Sequence, residues 1–197
     1  NARQCCGCRC RLGRPFLAKY RAPPSIATVS CICSRPGREI AHSKMSTCGI
    51  ISGDARDIAA IMPIMNSAFD PEFGEAWTSA QCLSLLALPQ SSLLIAEKDQ
   101  KVAGFALTRW VCDEEELLMI GVSPEFQRSG IASALMKHIV ERARLAGRNR
   151  IFLEVRSNNS ALHFYRSRGF ENCGIRKSYY RGISGDRYDA TTMALNL

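Results

Sequence analysis

Ile120-Gly121-Val122-Ser123-Pro124-Glu125-Phe126-Gln127-Arg128-Ser129-Gly130-Ile131-Ala132 is the stretch that decides the fold. An apolar run ends at Val122, Ser123-Pro124 turns the chain, and Gly130 opens a segment of helical periodicity. Ile131, Leu135 and Ile139, with Ala132, Met136 and Val140, recur at intervals of four and write one buried face on a helix from about 129 to 146. Gly147 stands where a C-terminal cap is expected. Small residues in a first turn let backbone amides approach an anion closely, and the free N–H groups and helix dipole there favour phosphate. Arg128 adds a charge beside that site. A plain strand-to-helix connection with a packing glycine fits the same letters, so the stretch gains weight only from its surroundings.

On the N-terminal side, residues 47–51 read as a short strand. Residues 54–68 carry Ile58, Ile61, Met62, Met65 and Phe69 at helical spacing behind Asp54. Thr78 with Gln81 is a capping box opening a helix through Leu88, which Pro89 stops. Two β-leaning runs, 91–97 and 101–111, flank a tight Lys98-Asp99-Gln100 turn and predict a hairpin, with a further strand at 115–122. On the C-terminal side come a strand at 150–155, a helix at 160–168 closed by Gly169, and two strands around Gly185-Asp186. The order β-α-α-β-β-β-α-β-α-β-β is that of a single mixed α/β domain.

The chain of 197 residues is 46% hydrophobic and 22% charged, ordinary globular usage, and no apolar run is long enough to span a membrane. Its formal charge of +8 sits in one place. Of 26 basic and 18 acidic residues, nine and one fall in residues 1–44, leaving seventeen of each in the body. The body therefore does not select for nucleic acid. Six of ten cysteines (Cys5, Cys6, Cys8, Cys10, Cys31, Cys33) lie in the same basic segment. That segment reads as a disordered or non-native leader. An Arg-rich transit peptide and a cramped four-thiolate zinc site are the competing readings. The globular domain is expected to run from Met45 to Leu197. Its four cysteines (Cys48, Cys82, Cys112, Cys173) read as small buried hydrophobes of a reducing compartment. The histidines His42, His138 and His163 show no ligand spacing with them, so no metal is expected.

Two residues stand out by chemistry. Glu154 is an acid inside the apolar strand Ile151-Phe152-Leu153-Glu154-Val155, and a carboxylate there needs partners or water. Tyr165 follows eleven residues later on the next helix, where packing beside Leu162 and Gly169 would account for it equally well.

The segment Gln127-x-x-Gly130-x-Ala132 resembles the acetyl-CoA pyrophosphate motif of the GNAT family of N-acetyltransferases, at the strand-to-helix junction where that family carries it. The ensemble Leu153-Glu154-Val155-Arg156, Asn159 and Phe164-Tyr165-x-x-x-Gly169-Phe170 is similar to the bacterial ribosomal-protein alanine N-acetyltransferase branch. So is the ending Ile175-Arg176-Lys177-Ser178-Tyr179-Tyr180, Gly185-Asp186-Arg187-Tyr188-Asp189-Ala190 and Met193-Ala194-Leu195. The chain is one residue shorter than the branch pattern between Glu154 and Tyr165, a difference that the 157–160 loop would absorb.

The resemblance implies a GNAT fold, a mixed and mostly antiparallel twisted sheet flanked by helices. It implies acetyl-CoA as cosubstrate and Glu154 and Tyr165 as general base and general acid. Ile120, Gly121 and Val122 would hold the pantetheine arm. Gln127, Arg128, Ser129, Gly130, Ile131, Ala132 and Ser133 would cradle the pyrophosphate, and Asn159 would contact the cofactor. Tyr179 and Tyr180 would shape a peptide pocket. The implied reaction is acetylation of the N-terminal alanine of a small-subunit ribosomal protein, in the cytoplasm, by direct attack in a ternary complex. The implied partner is that protein's N-terminal peptide, with no direct nucleic-acid or membrane partner and the oligomeric state left open. A small-amine or lysine acetyltransferase is the alternative from the same fold, and a non-catalytic acetyl-CoA sensor or ribosome-binding module the alternative from another class.

Overall fold

A computed structural model describes residues 48–197. The leader readings and the start at Met45 lie outside the described residues. Seven strands form one sheet in the order β1-β2-β3-β4-β5-β7-β6: β1 Gly49–Gly53, β2 Ser91–Lys98, β3 Lys101–Val111, β4 Glu114–Val122, β5 Arg150–Arg156, β6 Glu171–Arg181 and β7 Arg187–Asn196. Every neighbouring pair is antiparallel except β4 with β5. Four helices, α1 Ile58–Ala68, α2 Ser79–Leu86, α3 Ile131–Leu145 and α4 Ala161–Arg166, complete the expected order. None of the described helices is long and apolar enough to cross a membrane.

Local chemistry explains the boundaries. Thr78 Oγ1 accepts from Gln81 N–H while the Gln81 side chain takes the Thr78 amide, the capping box predicted for α2. Asp54 and Asp57 form a second box, but the turn it opens is 3-10 (Ala55–Asp57), so α1 begins at Ile58 rather than at 54. Asp99 and Gln100, at φ 52° and 61°, make the two-residue β2–β3 turn with the backbone twist a hairpin prefers. α4 is shorter than the predicted 160–168: Ser167 still takes helical angles as its C-cap, and the chain turns away at Gly169, φ +83°.

The two faces of the sheet carry separate cores. Leu93, Ile95, Phe105 and Leu107 meet Ile58, Ile61, Ile64 and Met65 of α1 and Cys82 and Leu85 of α2. Their alternates Leu94, Ala96 and Ala106 meet Ile131, Leu135, Met136 and Ile139 of α3, whose buried face is the predicted one. Each fully buried aliphatic side chain contributes roughly 1.5–3 kcal/mol to this sandwich.

One irregularity positions the site. Leu107 pairs with Met119 but Thr108 pairs with Leu117, which leaves Leu118 as an extra residue, a β-bulge. Side-chain parity reverses across it. Leu117 belongs to the α3 core, Met119 to the α1 core, and Ile120 and Val122 pack on the α3 side. Beyond the bulge β4 parts from β5. Their parallel pairing covers Glu114–Leu117 against Arg150–Leu153 and then stops.

Among the four cysteines of the domain, Cys82 is buried and Cys48 half-buried, but Cys112 and Cys173 are exposed, against expectation. Cys112 stands in the β3–β4 turn at φ 55°, and Cys173 lies on the uncovered edge strand β6.

Candidate active site

Where β4 and β5 separate, a cleft of about 470 Å³ opens. Ile120 and Val122 of β4 and Ala132 of α3 line one side; Glu154 of β5, Asn159, Tyr165 of α4 and Tyr179 and Tyr180 of β6 line the rest. Past Leu117, β4 has a strand partner on its β3 side alone. Its backbone groups on the β5 side are thus left to pair with something extended that enters the cleft. Gly121 faces the other way: a Cβ there would stand 2.7 Å from Phe105 Cε1, so the glycine is required by packing against the α1 core. A side chain at Gly104, the β3 partner of Val122, would meet the Gly121 carbonyl oxygen at 2.8 Å.

At the mouth of the cleft, α3 starts with Gly130 at φ +89°, where an added Cβ would meet nothing within 4 Å. The first helical bond runs from Ala134 N–H to the Gly130 carbonyl, so the amides of Gly130, Ile131, Ala132 and Ser133 lack carbonyl partners from a preceding turn. Arg128, also left-handed at φ 59°, is exposed and pairs with no acid among the described residues. Ser129 Oγ donates to the Phe126 carbonyl and closes the turn. These unpaired donors, at the positive end of a 15-residue helix, fit a diphosphate. Gln127, Arg128, Ser129, Gly130 and Ser133 lie outside the walls of the cleft proper, and the Ile131 side chain is buried in the core. What these positions offer is backbone amides and the Arg128 cation.

Glu154, paired in register with Thr192 of β7, has a side chain 17% exposed. Arg176 Nη1 of β6 reaches its Oε1 at 2.8 Å. The same carboxylate pushes the Tyr179 phenol pKa up, chiefly through their hydrogen bond. Tyr180 Oη donates to the Glu154 carbonyl at 3.4 Å, and burial raises its pKa further. Tyr165 packs edge-on against Phe164 and Phe170. Burial, assisted by the negative charge of Glu75, holds its phenol in the protonated form. Asn159 Oδ1 accepts from Ala161 N–H and so caps α4, while Asn159 N–H donates to the Arg156 carbonyl. The 157–160 connection is this tight turn.

The sequence reading did not find Glu75. It lines the cleft from the connection between α1 and α2 and pairs at 3.1 Å with the buried Arg156, whose guanidinium lies over the Phe73 ring. Partners 81 residues apart leave no local signal. Phe69 and Trp77, also in the wall, carry none either. Among the described residues, no three His, Cys, Asp or Glu side chains gather to hold a metal ion.

A cleft between parted strands, with unpaired amides at the start of α3 beside it, coincides with a sequence match. The profile of the acetyltransferase (GNAT) family matches residues 58–170. The chain belongs to the GNAT acetyltransferase family. The [ribosomal protein bS18]-alanine N-acetyltransferase of Escherichia coli K12 is 42% identical over 96 residues, 48% of this chain and 64% of that protein's length. This chain thus spans slightly under two thirds of that relative. The protein of the same name from Haemophilus ducreyi is 34% identical over 122 residues, 61% of this chain and 83% of its own length. Among solved structures, the Escherichia coli ribosomal-protein-S18-alanine N-acetyltransferase superposes with a TM-score of 0.70 at 32% identity, covering 76% of this chain and 94% of that one. The GNAT fold expected from the sequence, a mostly antiparallel sheet flanked by helices, is the fold observed.

Proposed function

We propose that this GNAT protein transfers the acetyl group of acetyl-CoA to the α-amine of an N-terminal alanine, on a ribosomal protein of the bS18 type, in the cytoplasm. The observation that carries the reading is that Glu154 and Tyr165 line one cleft together with the end of β4 that β5 leaves unpaired. The names of the relatives support the acceptor.

Donor binding uses groups described above. The amides of residues 130–133 and the Arg128 guanidinium hold the pyrophosphate, and the free backbone edge of Ile120–Val122 pairs with the pantetheine arm as a further strand would. An α-amine with a pKa near about 8 needs modest help to reach its neutral form. Glu154, directly or through a water, takes its proton. The amine nitrogen then bonds to the thioester carbonyl carbon, a β4 amide near Val122 stabilises the oxyanion, and the carbon–sulfur bond breaks. Tyr165 gives its proton to the departing thiolate, and its raised pKa keeps that proton available. No acyl-enzyme is required.

The test is thiol release from acetyl-CoA by the full chain. The acceptors are a peptide with free N-terminal alanine, the same peptide blocked at its terminus with an internal lysine, and polyamines. Turnover of the free-terminus peptide alone is expected. Turnover of lysine or polyamines alone would overturn the acceptor assignment and leave the family untouched.

A further inference from the structure

The edge strand β6 carries a second irregularity. Arg176 pairs with Ala190 and Tyr180 with Tyr188, so Lys177, Ser178 and Tyr179 stand against Asp189 alone. Three residues facing one force the strand outward, and Ser178 adopts φ 54°, a conformation a side chain resists. One carboxylate spans the gap. Asp189 Oδ1 accepts from the Ser178 amide at 2.9 Å, and Oδ2 pairs with Lys177 Nζ at 2.6 Å. The Lys177 ammonium and the Ser178 amide together hold the Asp189 carboxyl below the usual carboxylate range. The Asp189 carbonyl accepts from Ser157 N–H, so the same residue ties the bulge to the end of β5.

What the bulge displays is the acceptor side of the cleft. Arg176, just before it, meets the Glu154 carboxylate; Tyr179, its last residue, lines the cleft with Glu154; Tyr180, just after it, meets the Glu154 carbonyl. A regular β6 would have alternated these side chains between faces at a spacing of two. The bulge instead brings the adjacent Tyr179 and Tyr180 into one cleft, ring edge against ring face.

We propose that Asp189 is a positioning residue for acceptor recognition, clipping the 177–179 bulge so that Tyr179 and Tyr180 form the pocket for the incoming N-terminal peptide beside Glu154. The inference rests on the acceptor reading above. Asp189 touches neither reacting atom. It acts through the bulge and does not itself line the cleft, while the proposed donor site is on β4 and α3.

The test compares full-length wild type, Asp189→Ala, Asp189→Asn and the double variant Asp189→Ala with Ser178→Gly. Steady-state KM values for acetyl-CoA and for an N-terminal alanine peptide are measured with thermal melts. The Tyr179 and Tyr180 ring signals are followed by NMR. Asp189→Ala is expected to raise the peptide KM at least tenfold, leave the acetyl-CoA KM within twofold, and shift both ring signals. Asp189→Asn, which keeps an oxygen for the Ser178 amide, should lie between. Glycine at 178 adopts the left-handed backbone without a Cβ penalty, so the double variant should recover at least threefold. An unchanged peptide KM in folded Asp189→Ala, or equal rises in both KM values, would overturn the proposal. Wild type that turns over no N-terminal peptide would instead sink the acceptor reading, while ring signals unmoved in Asp189→Ala would sink the clip by themselves.

Discussion

Arg176 Nη1 stands 2.8 Å from Glu154 Oε1, joining the outermost strand of the sheet to the floor of the cleft. The two ends of this pair differ. The arginine side chain is 58% exposed and the glutamate 17%, so water screens the contact from one side and the guanidinium can yield to another cation. In the proposed reaction, the acceptor's ammonium entering the cleft is such a cation. The carboxylate therefore has an arginine partner before the substrate arrives and can exchange it for the amine.

Glu154→Gln keeps the size of the side chain and removes the base. Turnover is expected to fall by about 10²–10⁴-fold, the usual range for losing a general base, while acetyl-CoA binding measured by calorimetry stays unchanged. Unchanged turnover near neutral pH would take Glu154 out of the mechanism.

Tyr165→Phe should lower kcat by about a hundredfold with little change in either KM. Because burial raises the folded-state pKa above the unfolded value, the neutral phenol is the form present throughout ordinary assay conditions. Any stabilisation from keeping it neutral is complete below the unfolded pKa and is lost only as pH rises through the folded one. The kcat profile of the wild type should accordingly show no alkaline limb from this group below about pH 10. A limb at lower pH that vanishes in Tyr165→Phe would contradict the assignment.

Much of this fold was legible because its signals are local. The Thr78–Gln81 box, the four-residue intervals of α3 and the β2–β3 turn each depend on residues within one or two turns of one another. The start of α3 at Gly130 was legible for the same reason, since Gly130 and the helix that follows are contiguous. Glu154 and Tyr165, which both line the cleft, were singled out by the strand pattern and the resemblance together. Glu75 was not, because its meaning comes from Arg156, far along the chain. The bulges at Leu118 and at 177–179 were not visible, since an extra residue is defined only by the partner strand. The exposure of Cys112 and Cys173 depended on which strand became the sheet's edge and where its turns fell.

Gly130→Val places a β-branched residue at φ +89°, a region closed to such side chains. Surrounding space is open, so the cost is conformational, about 1–2 kcal/mol. Relief of the strain would turn the amide array away from the mouth of the cleft. The acetyl-CoA KM should rise at least tenfold with a modest drop in Tm, and an unchanged KM would detach this helix end from donor binding.

Gly104→Ala sets a methyl group against a carbonyl oxygen that belongs to the backbone of β4 and cannot rotate away. Overpacking of this kind costs typically about 1–3 kcal/mol. Urea unfolding should show that loss, and the acetyl-CoA KM should rise with it, because Gly121 lies within the unpaired end of β4.

Glu115→Gln tests the buried charges beneath the cleft. Glu115 is fully buried and receives Arg142 through Oε1 and Arg148 at 2.7 Å through Oε2. Removing the charge leaves two arginines around a neutral amide, which should destabilise the fold by about 3–5 kcal/mol. A urea midpoint within error of wild type would show the cluster to be dispensable.

The short parallel pairing of β4 with β5 has a mechanical meaning. Four residue pairs, Glu114–Leu117 against Arg150–Leu153, are the seam along which the two halves of the sheet are sewn, and Glu115 sits within it as a cross-brace between both arginines. On the proposed reading, donor groups ride on one half and acceptor groups on the other. Their separation is therefore set by the angle at this seam, as the gape of a pair of tongs is set at the rivet. Slackening the rivet would misalign amine and thioester without touching either binding surface.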